Sequence, residues 1–341
     1  MSRLLSRYAE ATYWMARYVE RAENLARILD VNETFSRDSR GWQNWRTILE
    51  LYQDETRFLA DHAEADADAV LYFYTLDQGN FTSIISAVNQ ARGNARTLRP
   101  LISTEMWIQL NMFSNDLKSM AREDLTEPRL ARFCNRVKEA CQTHTGITEG
   151  TFYRDEGWFF YQIGRCIERA DQTTRLLDVK YHLLLPTKES VGSPLDVSHW
   201  NAVLRSAAGY HAFRRVHPSG MTSSDVAGFL LFHSSFPRSV SACVDEISNR
   251  LMELRSRYRL IGGSNTLEEL DELCTVLDDI TIERVISKGM HEFIDWIQAF
   301  PMLPGRARNS ARPRCSRRAP RRRQRRTGRQ VKGRADCRHE A

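Results

Sequence analysis

The chain has 341 residues, 42% hydrophobic and 27% charged, the composition of a globular protein with a core of its own. Residues 305–341 hold 14 Arg and one Lys against Asp336 and Glu340, a charge of +13; the other 34 basic and 41 acidic residues leave −7 on residues 1–304. The overall +6 therefore excludes nothing by itself, but a uniformly basic protein is excluded, and no apolar run approaches the roughly 18–20 residues of a membrane helix.

In chain order, charge returns at Arg3 and Arg7 before any apolar region forms, so no signal peptide is expected. Seven cysteines without even spacing point to a soluble protein in a reduced, cytoplasmic setting. Met15, Tyr18, Val19, Ala22, Leu25, Ala26 and Leu29 recur at helical spacing and predict a first long helix. Thr126-Glu127-Pro128 marks another helix start, with proline in the first turn. Cys134, Cys141 and His144 share one face beyond it, and with no fourth ligand in prospect they read as core rather than zinc.

Trp158-Phe159-Phe160-Tyr161 leads into a second long helix. The stretch from Pro186 to Pro194 and the His217-Pro218-Ser219-Gly220 break read as linkers. Leu267, Leu270, Cys274 and Leu277 define a last helix, opened by Gly262-Gly263 and a capping box at Thr266-Leu267-Glu268-Glu269. Period-two alternation is absent, so the expected class is all-α, a bundle of roughly ten helices without significant sheet.

Residues 304–341 hold almost no aliphatic residues and are expected to form a disordered tail. Two readings of it stand. Arg317-Arg318, Arg321-Arg322-Arg323 and Arg325-Arg326 would contact phosphates, making nucleic acid a partner if the tail is genuine. Alternatively, fourteen arginines to one lysine among Pro, Ala and Gly is what a GC-rich gene gives when read out of frame, a frameshift artefact.

Within residues 1–303 the chain matches itself at an offset of 148, which implies a duplication with related halves of about 1–150 and 151–303. Residues 13–31 (YWMARYVERAENLARILDV) and 161–179 (YQIGRCIERADQTTRLLDV) share nine of nineteen positions. At 100° per residue, positions 13, 17, 20, 24, 27 and 31 form one polar face, and five of the six are identical between the copies. The opposite apolar stripe matches only at Ala22/Ala170 and Leu29/Leu177. A merely solvated face tolerates substitution and should drift faster than a core face, so this one is expected to be shielded from bulk water.

If the two helices pack antiparallel, Glu20 meets Arg169 or Arg165, and Glu168 meets Arg21 or Arg17, through two-pronged arginine–carboxylate bonds. One reading is a site: Glu20 and Glu168 as candidate catalytic bases, with Tyr13, Arg17, Arg21, Arg27, Tyr161, Arg165, Arg169 and Arg175 binding an anionic ligand. The other is an ion-pair network that fixes how two halves dock. Glu20-Glu23 and Glu168-Asp171 are spaced like di-iron carboxylates, but the Glu-x-x-His of such sites is absent and no metal is expected. No Walker loop, Gly-x-Gly-x-x-Gly or Gly-x-Ser-x-Gly occurs, and no cofactor is expected.

The stretch from Tyr13 to Arg27 resembles the signature of the bacterial alpha-E domain family, an all-helical family named for its Glu-Arg motif, and Cys166-Ile167-Glu168-Arg169-Ala170-Asp171 is a second instance. Ala91-Arg92-Gly93-Asn94-Ala95-Arg96, Ser103-Thr104-Glu105-Met106-Trp107, Val191-Gly192-Ser193-Pro194-Leu195-Asp196 and Phe236-Pro237-Arg238-Ser239-Val240 extend the similarity over about residues 1–299. Gly93 departs from it where an acidic residue is expected, and the tail departs more, since similar proteins close near Trp296-Ile297-Gln298. The resemblance implies partnership with ATP-grasp-type ligases and transglutaminase-like proteins in making or modifying a peptide. It brings no proven catalytic residue. The expectation is a component of such a pathway that uses the Glu-Arg motifs as a site; the alternative is a non-enzymatic helical scaffold.

Overall fold

The computed structural model describes residues 4–38, 44–183, 194–259 and 263–300. The arginine-rich tail, the linker at 186–193 and Gly262 lie outside the described residues. The described residues form α1 (Ser6–Asp38), α2 (Asn44–Tyr52), α3 (Glu55–Leu59), α4 (Ala67–Thr75), α5 (Ile84–Thr97), α6 (Thr104–Lys118), α7 (Glu127–Thr151) and α8 (Glu156–Leu183). There follow α9 (Pro194–Ser206), α10 (Tyr210–Val216), α11 (Ser223–Phe232), α12 (Val240–Tyr258), α13 (Ser264–Asp279), α14 (Ile282–Lys288) and α15 (Met290–Gln298). The fold is all-α, and no strand occurs among the described residues. Fifteen helices exceed the expected ten because α2, α3, α4, α10, α14 and α15 hold fewer than ten residues each, too few turns for apolar spacing to declare itself. No helix among the described residues is long and apolar enough to cross a membrane.

α1 and α8 are the central pair. α5 and α7 pack on α1, α12 and α15 on α8, and each central helix also receives the short helix that follows the other, α9 on α1 and α2 on α8. α1 is accordingly buried almost all round, its polar positions with its apolar ones.

The central helices run parallel, not antiparallel. The Leu4 amide meets Glu156, Tyr13 meets Gly164, Arg17 meets Glu168 and Glu20 meets Arg169, so the register advances together on both helices. α7 is the reason. It returns along α1, with Lys138 bonded to Asp30, and delivers the chain to the end where α1 began. At the crossing a Cβ on Gly164 would overlap the Tyr13 carbonyl, so glycine sets how closely α1 and α8 approach.

Helix starts follow local chemistry. α7 opens after Thr126 with its proline in the first turn, as the sequence predicts. Ser83 and Ser239 accept from the amides of Ser86 and Ala242 to cap α5 and α12. The capping box expected at Thr266 does not form, because Gly263 in the left-handed region (φ 76°) starts α13 at Ser264. α13 is also not the last helix, since α14 and α15 follow.

Equivalent features recur between early and late helices. Gln53 after α2 and Ala208 after α9 are both left-handed, at φ 56° and 55°. Phe58 stacks on His62 as Phe213 stacks on His217. Ser83 Oγ donates to the Asp77 carbonyl as Ser239 Oγ donates to that of His233.

Candidate functional site

The central crossing gathers the carboxylates and arginines of the repeated motif. Arg17 donates to Glu168 through Nε (2.9 Å) and Nη2 (2.7 Å), and Arg21 donates to the same carboxylate through Nε (2.6 Å) and Nη2 (2.9 Å). Reciprocally, Arg169 grips Glu20 through Nε (3.0 Å) and Nη2 (2.9 Å). Each Glu-Arg dipeptide thus exchanges partners with the other. Asn24 and Gln172, which differ between the copies, make the same bond to the glutamate one turn earlier, at 3.1 and 3.3 Å. Arg27 and Arg175 are equivalent too. Each holds an acid on its own helix, Glu23 or Asp171, and donates to a terminal carbonyl of the short helix packed there, Ser206 of α9 or Leu51 of α2.

Three of the predicted residues break the symmetry. Tyr13 accepts from Arg17 Nη1 at 3.1 Å, while its counterpart Tyr161 is buried against His144 and Phe152, where burial pushes its phenol up to about 12. Arg165 pairs with Glu149 of α7 at 3.1 Å instead of entering the Glu20 cluster as Arg17 enters that of Glu168. The vacant role falls to Arg238, just ahead of α12, which bonds Glu20 Oε1 at 2.9 Å and Glu23 Oε1 at 2.7 Å. Sequence reasoning missed Arg238 and Glu23. Arg238 lies in the 236–240 stretch that carries the resemblance, but nothing there marked it as a partner of Glu20; Thr82, ahead of α5 as Arg238 is ahead of α12, donates to Asp54 instead.

The centre is closed. Glu20 is 2% exposed and Glu168 0%; Arg169 and Arg238 show 13% of their side chains and Arg21 24%. Burial alone would raise both carboxyls, but two guanidiniums on each outweigh it. Glu168 falls to about 2, held by Arg21 and Arg17, and Glu20 falls well below the usual carboxylate range, held by Arg169 and Arg238. Carboxylates so stabilised as anions accept a proton poorly, the opposite of what a general base needs. Trp14 and Tyr18 stack on the outer faces of Arg17 and Arg21, at 4.8 and 5.4 Å. A shallow cleft of about 380 Å³ lies beyond them between α1 and α5, lined by Glu10, Trp14, Tyr18, Gln90 and Asn94 and separate from the carboxylates. Cys134, Cys141 and His144 are buried along α7, and no three possible metal ligands converge among the described residues.

Comparison with known proteins places this geometry. The Alpha-E family, described as a predicted alpha-helical domain with a conserved ER motif, matches residues 4–300. An uncharacterized protein of Mycobacterium bovis is 25% identical over 289 residues, covering 78% of this chain and 31% of the relative. Two uncharacterized proteins of Mycobacterium tuberculosis match to the same extent. The chain spans about a third of the length of these relatives. No solved structure matches it.

Proposed function

This chain belongs to the Alpha-E family, and from that membership we propose that it is a helical scaffold whose exchanged Glu–Arg pairs lock two sets of helices together. In this reading it works in a cytoplasmic pathway of peptide synthesis or modification, docking an ATP-grasp-type ligase, with a transglutaminase-like protein as a further partner. The observation that carries the scaffold reading is the pairing of Glu20 and Glu168. Each is buried, bonded by two guanidiniums and one amide, and held as an anion that takes up a proton poorly. The relatives support a domain that works beside others, since their matching part is about a third of a longer chain. The family's Glu-Arg motif is then a structural signature, retained because breaking one partner of a buried pair strands its charge.

The test is Glu168→Gln and Glu20→Gln, each measured for thermal unfolding and, well below its melting point, for binding to the purified ligase. Lower melting temperatures with binding intact support the scaffold. A double exchange, Glu20→Arg with Arg169→Glu, should recover part of the loss. Full stability with lost binding or turnover would instead make the pairs a site.

A further inference from the structure

We propose that the outer face of α5 and α6 is a docking surface for an acidic, partly apolar segment of a partner protein. Arg92 and Arg96 sit one turn apart on α5, and Arg99 follows its C-cap residue, Leu98. None of the three makes an ion pair among the described residues, although residues 1–304 carry a net −7 and supply carboxylates in excess. Glu105, in the first turn of α6, pairs with none of them. Arg92 and Arg99 instead stack on the half-buried indole of Trp107, at 5.6 and 5.2 Å, and Asn111 fixes Arg92 through a 2.8 Å bond from its Nε.

The guanidiniums of Arg92 and Arg99 are therefore held in place with their charge unused, and Arg96 stands exposed beside them. Trp107 and Asn111 share this side of α6 with Ile108 and Met112, which are 48% and 65% exposed. At 100° per residue the four fall within about 140° of the helix surface. Arginine, tryptophan and methionine are the side chains enriched at protein interfaces, and pre-stacked arginines lose little further freedom on binding.

The charge selects the class of partner. Carboxylates complement three unpaired guanidiniums, while Ile108 and Met112 need apolar side chains opposite. A nucleic acid would leave the apolar pair uncovered, and the acidic body would repel it at long range. The identity of the partner, though not the surface itself, rests on the scaffold reading above.

The experiment uses the full chain and two probes in parallel. One is a synthetic amphipathic helix with glutamates along one side and leucines along the other. The other is the purified ATP-grasp-type ligase. Titrations compare the wild type with R92E/R96E/R99E and with I108D/M112D, and circular dichroism melting confirms that both variants fold. The wild type should bind the peptide, weakening as salt rises, and each variant should lose at least tenfold. A single-stranded oligonucleotide should bind at least tenfold less well than the peptide. Undiminished peptide binding by the variants, no binding by the wild type, or tighter binding of the oligonucleotide overturns the proposal. If the ligase binds wild type and variants alike, the surface fails and the scaffold stands. If the ligase binds neither while the peptide behaves as expected, the scaffold's partner fails and the surface stands.

Discussion

A single buried carboxylate decides much of this molecule's behaviour. Replacing Glu168 by Gln leaves Arg17 and Arg21 packed around a neutral amide, and removing one partner of a buried pair costs about 3–5 kcal/mol. Its folded pKa of about 2 lies below the ordinary 4.5, so its contribution is complete above pH 4.5 and fades as pH falls toward 2. His144 acts earlier. Burial lowers it from 6.5 to about 4, so the unfolded chain takes up the proton first, and stability is lost as pH drops from 6.5 to 4. The slope of melting temperature against pH across that window should flatten in His144→Phe; an unchanged slope would remove His144 from the account. The ionic residues were legible because a merely solvated face should drift faster than one with five of six positions identical between two copies. Arg238 was not, because nothing in a helix-start sequence says how far its side chain reaches.

At the scale of helices, the tight crossing of α1 and α8 depends on Gly164. Gly164→Ala should force the helices apart and lower the melting temperature by several degrees, as overpacking costs about 1–3 kcal/mol. Gly146→Ala and Gly150→Ala on α7 meet nothing within 4 Å and should raise stability by about 0.5–1 kcal/mol each, the gain of alanine over glycine inside a helix. Together these substitutions separate packing from propensity in one melting series. The all-α class was readable from periodicity, and α1 from its long stripe. The parallel direction was not, since it is set by α7 returning along α1, and a motif offset is the same for either direction. Nor could the sequence separate Thr266 from Gly263 as the start of α13, because both carry helix-opening chemistry.

For the whole molecule, the central pair makes each half of the chain depend on the other. Residues 1–150 expressed alone would leave Glu20 without Arg169 and Arg238, and residues 151–303 would leave Glu168 without Arg17 and Arg21. Each alone should show little cooperative thermal unfolding, while co-expression should yield a heterodimer that unfolds in one transition. Two halves that each unfold cooperatively on their own would contradict this. The exchanged dipeptides carry one more consequence. Contacts in which residue i of one copy meets residue j of the other, and j meets i, define an isologous interface about a two-fold axis, here lying along the helices. Such a contact is complete between two identical half-length chains, so α1 and α8 have the geometry of a homodimer joined into one polypeptide. Identical subunits must mutate together at such a contact, whereas a joined pair can specialise. Thr82 at the place equivalent to Arg238, and Arg165 turned to Glu149 where Arg17 holds Glu168, are departures from that symmetry.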